Sequence, residues 1–213
     1  MKKEMIQKIK DGLKTSFVDS TAVNAVCNPI FAGLETVVIG MSDDLSLSAR
    51  LLGTGLTYAG LGTLISKGRD AYRKLVKVNE NTREGIQQLH DSIYMGLFCL
   101  GFDPLFYYAA GARDIEDIVG GTITGTLFGL TSGGLIGYAM DTFKDLTGIK
   151  ESSRIPLSIK NLSPKMKLGL VTAITTATIA INAGIYELTP DKKEENSSEK
   201  QNTEKVVNYS STQ

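Results

Sequence analysis

The sequence predicts an all-α membrane protein: a bundle of four transmembrane helices, arranged as two tandem hairpin repeats, plus a fifth helix. Three observations predict this class. Several stretches of about 20 residues are apolar and almost free of charge, which is the length that a helix needs to cross a bilayer. One stretch carries glycine at every fourth position, a spacing typical of closely packed membrane helices. Basic residues are concentrated between alternate stretches, as in cytoplasmic loops.

The first two predicted spans, residues 17–40 and 47–66, contain charged side chains. Asp19 lies near the start of the first span, Glu35 near its end, and Arg50 near the start of the second. A helix rises about 1.5 Å per residue, so the step from Asp19 to Glu35 corresponds to about 24 Å. The two acids are therefore expected near opposite faces of the membrane, with Glu35 close to Arg50 across a tight hairpin.

The third span, residues 92–112, contains Asp103 beside Pro104, and the fourth contains the regularly spaced glycines. The fourth covers residues 118–140, which are 23 residues without a charge. In water, each glycine would cost such a helix about 1 kcal/mol relative to alanine. In lipid, the same residues let two helix backbones approach closely. This glycine ridge consists of Gly121, Gly125, Gly129, Gly133 and Gly137.

A fifth apolar segment, residues 168–186, is rich in threonine and is predicted to span as well. After it the chain becomes polar and mixed in charge, a composition typical of disorder. The predicted organisation is a basic cytoplasmic N-terminus (1–16), a membrane domain (17–146), a cytoplasmic linker (147–167), the fifth helix (168–186) and a disordered polar tail (187–213).

Lysine and arginine predict the orientation of the chain. There are 23 of them, and 17 lie in the N-terminal segment, in residues 67–90 and in residues 141–167. Because positive charge marks cytoplasmic loops, these three regions are predicted to lie inside and the C-terminal tail outside. The predicted location is the plasma (inner) membrane, which the chain crosses several times.

The first two spans resemble the next two. Residues 17–75 and 91–146 each have an acid near the start, a cysteine eight residues later and an Asp-x-aromatic-basic-x-Leu sequence at the end. A tandem duplication predicts a pseudo-twofold axis along the membrane normal; the alternative is that any two helical hairpins with charged loops look alike. The matched residues are Asp19 and Asp91, Cys27 and Cys99, and Asp70 and Asp141, at an offset of 72 or 71.

Ionisable side chains are costly inside a bilayer and mark candidate sites. We expect Glu35 to exchange a proton or bind an ammonium group, and Arg50 to bind a carboxylate. The alternatives are a structural ion pair between the two, or an Arg50 that reaches lipid phosphates. Further candidates for binding substrate or protons are Asp19, Asn24, Asn28, Asp91, Asp103 and Asp141. Asp70 and Arg69 are the candidates for a gate at the inner face.

Other residues have simpler explanations. Asp19 and Asp91 are also expected where helices begin, because a carboxylate favours that end of the helix dipole. The sequence has no metal-ligand spacing, nucleophile motif or phosphate loop, and its net charge is zero. No enzyme activity, cofactor, metal site or nucleic-acid partner is therefore predicted. Residues expected to face lipid or the aromatic belt are Met95, Phe98, Phe102, Phe106, Tyr107 and Tyr108.

A set of residues within 14–149 carries a family resemblance. It comprises Asp19, Glu35, Gly40-Met41-Ser42, Arg50-Leu51, Arg69-Asp70, Asp91, Pro104, Gly137-Tyr138 and Asp141. With these residues in this order, the chain resembles the L-alanine exporter family of small inner-membrane carriers. The resemblance implies four helices, a cytoplasmic N-terminus and export of alanine or similar amino acids driven by the proton gradient. The fifth segment, the tail and the glycines of the second span depart from the family.

Two functions are therefore considered. The first is export of L-alanine or a similar small neutral amino acid, with membrane lipids and further copies of the chain as partners besides the substrate. The alternative is a non-transporting membrane scaffold or assembly factor that uses the glycine ridge to bind partner helices.

Overall fold

The structure is a computed structural model that describes residues 2–79 and 81–189. All regular structure in these residues is helical, which confirms the predicted all-α class. Three of the described helical stretches, Glu4–Ile39, Glu84–Ala110 and Pro164–Leu188, are long and apolar enough to cross a membrane. They support a membrane protein. The predicted second and fourth spans are helical but are not among the three, and most of the predicted polar tail lies outside the described residues.

Helix α1 (Lys2–Gly33) is longer at its start than the predicted first span. It begins in the basic N-terminal segment and continues beyond Gly33 as a wider π-helical turn, Leu34–Ile39. Asp19 therefore lies in the middle of a helix, so the expectation that it occupies a helix start is wrong. Asp91 likewise lies two turns inside its own helix, and neither acid acts on a helix dipole.

The second predicted span consists of α2 (Asp43–Leu56) and α3 (Gly62–Leu75), joined by a π-helical turn, Thr57–Leu61. The helix is kinked at Gly60, where φ is 131°, a backbone conformation that only glycine adopts readily. Beside the kink, the carbonyl of Thr57 accepts a hydrogen bond from the Gly62 amide and one of 2.7 Å from the Ser20 hydroxyl. It thereby joins this helix to α1.

Helices α4 (Glu84–Ala110) and α5 (Ile115–Leu146) run antiparallel and pack along most of their length. The glycine ridge faces α4. A Cβ atom at position 129 would lie 2.8 Å from the backbone of Met95 and Gly96, and one at 133 would lie 2.7 Å from the Asp91 carbonyl oxygen. Only residues without a side chain permit this approach, so the ridge packs within the chain itself.

After the short helix α6 (Leu157–Lys160), α7 (Pro164–Leu188) lies against α1 and runs in the same direction. None of its residues is buried. It is attached at its start by Lys167, whose Nζ lies 3.0 Å from Asp145 Oδ1. Near its end, the hydroxyl groups of Tyr186 and Ser46 share a hydrogen bond of 3.0 Å.

The interior of the bundle consists of two apolar clusters. The larger joins α1, α3, α4 and α5, and the smaller lies between α2 and α4, near Glu35. Met95, Phe106 and Tyr107 belong to these clusters, so the prediction that they face lipid is wrong; Tyr108 is exposed. The larger cluster comprises Val18, Ala22, Val23, Ile65, Met95, Phe128, Ile136, Met140 and Phe143, and the smaller Met41, Ala49, Phe106, Tyr107 and Ala112.

Gly129→Ala tests the packing of the ridge. We expect it to destabilise the folded protein by about 1–3 kcal/mol, since the added methyl group meets the backbone of α4, which no rotation of a side chain relieves. The control is Gly120→Ala in the same helix, where a Cβ meets nothing within 4 Å. Thermal unfolding in detergent is the measurement; equal melting temperatures for the two variants would contradict the packing.

Candidate functional site

A cavity of about 90 Å³, open on one side, lies between α1, α2 and α4. A buried water needs roughly 10–15 Å³ of such space, so the cavity accommodates several waters or a small solute. Its polar groups are few and belong to Asn24, Asn28, Arg50, Thr57, Asp103 and Tyr107. The remaining wall is apolar and includes Cys27, Cys99, Phe31, Phe98, Phe102 and Phe106.

Among the described residues, Arg50 is the only cation that lines this cavity. Its Nε donates a hydrogen bond of 3.1 Å to Glu35 Oε2, and its Nη2 donates to Oε1 of the same carboxylate. The guanidinium carbon lies 4.7 Å from the ring centre of Phe31 and 5.9 Å from that of Phe106. The third nitrogen, Nη1, makes no hydrogen bond to the described residues. One edge of the guanidinium is thus fixed, while the remaining nitrogen is available to a ligand.

Glu35 is fully buried and does not line the cavity. Besides the two bonds from Arg50, its carboxylate accepts hydrogen bonds from the Ser46 hydroxyl at 2.8 Å and the Tyr107 hydroxyl at 3.0 Å. The predicted pairing of Glu35 with Arg50 is therefore present. Because all four bonds come from protein groups, Glu35 orients Arg50 in this structure, and its predicted binding of a proton or ammonium group stays a prediction.

Asn24 and Asn28 lie one turn apart on α1 and both reach the second helix. The Asn24 side-chain amide donates to the hydroxyl of Thr57 at 2.7 Å, and that of Asn28 donates to Thr54 at 2.9 Å. These bonds cross the boundary between α1 and α2 beside the cavity. The two asparagines therefore contribute polar wall and hold the helices together.

Asp103 differs from the other buried acids. It is 8% exposed, and its buried Oδ2 atom has no hydrogen-bond partner among the described residues. The four other acids that are buried in the described chain each lie beside a cation: Asp19 beside Lys144, Glu35 beside Arg50, Asp91 beside Arg73, and Asp145 beside Lys167. Space for Asp103 is provided by Gly125 on α5, because a Cβ there would overlap with Oδ2.

A second cluster of charges lies at the opposite end of the bundle. Arg69 donates to Asp141 at 2.8 Å, and Arg154 donates to the other oxygen of Asp141 at 2.8 Å. Arg73 donates through Nε to Asp91 at 2.6 Å. This ion-pair network joins α3, α4, α5 and the loop that follows α5. An open cavity of about 560 Å³ lies beside it.

The network accounts for several of the predicted site residues. Asp19, Asp91 and Asp141 do not reach the small cavity, and each binds a cation at this end instead. Of the two predicted gate residues, Arg69 is buried in the network, whereas the Asp70 side chain is half exposed and 3.3 Å from Arg69.

Neighbouring charges also shift the pKa values of Arg154, in the loop after α5, and of Asp145, in the last turn of α5. Burial acts to lower the pKa of Arg154, but hydrogen bonds to Glu84 and Asp141 outweigh it and raise that pKa. Burial acts to raise the pKa of Asp145, but the Ser152 amide and Lys167 lower it below the ordinary range. Both groups are therefore held in their charged forms.

Some residues of these clusters carry no clear indication in the sequence. Tyr107 was expected among lipid-facing aromatics, and Lys144 and Arg154 among loop charges that mark orientation. One available indication is the repeat: Tyr107 follows Glu35 by 72 residues, the offset between the copies, and the two side chains are hydrogen-bonded.

No protein-family model matches this chain, and no significant match is found among curated proteins or solved structures. The resemblance to L-alanine exporters rests on the residues quoted above.

Asp19→Asn tests whether the second cluster stabilises the fold. We expect a loss of about 3–5 kcal/mol, because the substitution leaves Lys144 buried without a counter-charge. Asp70→Asn is the control and should change stability by no more than about 0.5 kcal/mol, since that side chain is half exposed. Unfolding in detergent reports both; a small loss for Asp19→Asn would show that Lys144 finds water or another acid.

Proposed function

We propose that the protein exports L-alanine or a similar small neutral amino acid across a membrane, driven by the proton gradient. The observation that carries this proposal is the small cavity, which is lined by the guanidinium of Arg50 and by Asp103, an acid without an ion-pair partner, among apolar side chains. A zwitterion has one charge of each sign, and burial of either without a partner is costly. The two groups match those two charges.

The chemistry of the cavity favours this ligand class. Arginine binds carboxylates through its planar set of donors, and Arg50 retains a free Nη1 for that purpose. Asp103 accepts hydrogen bonds from an ammonium group. The phenylalanine rings of the wall suit a small aliphatic side chain, and the volume of about 90 Å³ favours a short one. The ammonium group that the sequence assigned to Glu35 is thus assigned here to Asp103.

The proposed topology has five spans, with the N-terminus in the cytoplasm. In that topology the ion-pair network closes the inner end of the bundle, and Glu35, Arg50 and Tyr107 close the outer end. The small cavity lies between these two ends. Two observations support this direction: the basic segments adjoin the network, and α7 extends from Lys167 at one end to Tyr186 at the other.

The proposed tandem repeat is supported by contacts that recur at the offset of the two copies. Gly62 packs against Ser20, and Gly133 packs against Ser92. At the inner end, Asp19 of the first copy pairs with Lys144 of the second, and Asp91 of the second pairs with Arg73 of the first. Such exchanged pairs join two similar halves, and rocking of one half against the other would open either end in turn.

The scaffold alternative depends on a glycine ridge that is free to bind other helices. In the structure, Gly129 and Gly133 are covered by the backbone of α4 in the same chain. The glycine ridge is therefore already covered at these positions, and no other observation in the described residues favours the scaffold function.

Alanine export tests the proposal. The protein is produced in cells that lack their own alanine exporters and cannot degrade alanine, and these are fed an alanine-containing dipeptide. We expect faster release of alanine than from cells without the protein. Arg50→Lys should greatly slow release, because lysine lacks the planar donor set.

Arg113→Lys is the matched control, since Arg113 bonds to backbone carbonyls outside the cavity; it should export like the wild type. Membrane abundance of each variant is measured in parallel. Unchanged release by the wild type, or full export by Arg50→Lys, would contradict the proposal.

A further inference from the structure

We infer that Asp103 binds a proton when the cavity is empty and the ammonium group of the substrate when it is full, so that each amino acid bound releases one proton. This inference rests on the proposed function and names the residue that couples it to the proton gradient. Its basis is the isolation of Asp103, which alone among the buried acids of the described chain lacks an adjacent cation.

The ionisable neighbours of Asp103 do not supply a fixed counter-charge. Cys99 and Tyr107 share its helix, and Cys27 faces it from α1. The one nearby cation, Arg50, already forms two hydrogen bonds with Glu35, which balances its charge. On the remaining side, α5 presents Gly125, and residues 118–140 of that helix carry no charge at all.

An isolated carboxylate in these surroundings is unfavourable, because neither water nor a cation compensates for the lost hydration. The empty cavity therefore stabilises the neutral acid. An ammonium group within hydrogen-bonding distance changes this balance, since it supplies the missing positive charge. Proton and ammonium group then compete for one carboxyl group and are not bound together.

The charges balance over a transport cycle. Asp103 starts as a neutral acid, loses its proton to the cytoplasm as the zwitterion binds, and becomes a carboxylate paired with the ammonium group. On the outer side a proton rebinds to Asp103 and displaces the amino acid. One proton enters for each amino acid exported, and one positive charge moves inward with it.

The carboxyl group of Asp103 fits against α5 only because residue 125 is glycine: a Cβ there would overlap with Oδ2. The next turn of the ridge packs on backbone, but at this position the ridge faces a carboxylate oxygen. Alanine at 125 would push Asp103 aside without altering any charge.

The experiment uses purified full-length protein in weakly buffered detergent solution with a pH indicator. Addition of alanine to the wild type should release about one proton per alanine bound, and alanine affinity should fall about tenfold for each unit of pH decrease once Asp103 is protonated. Asp103→Asn should release no proton, and any remaining affinity should not depend on pH. Asp11→Asn, which removes an exposed carboxyl group in the N-terminal part of α1, is the control and should behave as the wild type.

Infrared spectroscopy of the wild type gives a second measurement that needs no variant to fold. The carbonyl band of a protonated carboxylic acid should disappear when alanine binds. Alanine binding without proton release and without loss of this band would overturn the role of Asp103 while leaving the proposed function intact. Proton release by Asp103→Asn equal to that of the wild type would also overturn it. A wild-type protein that binds no alanine would overturn the proposed function and this inference together.

Discussion

The fold depends on the rule that a charge enclosed by apolar helices needs an opposite charge beside it. Glu35 and Arg50 satisfy that rule at one end of the bundle, and Asp19 and Lys144 satisfy it at the other. Each pair connects different helices, so the requirement to neutralise charge also determines which helices are neighbours. Between the two ends, Asp103 has no cation beside it, and this unneutralised acid lines the small cavity.

The glycine ridge makes this arrangement of charges possible. At 129 and 133 its glycines let α5 contact the backbone of α4. At 125 and 137 they leave room for carboxylate oxygens, those of Asp103 and Asp91 respectively. The ridge thus serves two purposes: Gly129 and Gly133 pack on backbone, and the glycines on either side of them leave room for acids. A larger residue at any of these positions would separate the helices or displace an acid.

The sequence predicted the fold class and the ion pair between residues close together in the chain, but not the ion pairs between residues far apart. Charge-free stretches predicted helices, and the short separation of Glu35 from Arg50 left few other partners for either. The partner of Asp19 could not be predicted in the same way. Its helix is apolar on nearly every side, so no periodic pattern in the sequence indicates which side faces the interior. The burial of Tyr107 was missed for the same reason. The start of α1 was also missed, since lysines near position 10 form a helix as readily as a loop.

The distance along the chain between ion-pair partners has a consequence for how the protein is made. Glu35 and Arg50 are separated by 15 residues, so a nascent chain synthesises both almost together. Lys144 follows Asp19 by 125 residues, which means that three further helical segments are translated before the partner of Asp19 exists. Asp19 is therefore made long before the cation that neutralises it in the folded protein. Completion of α5 then supplies the cation that pairs with Asp19 and joins α1 to α5.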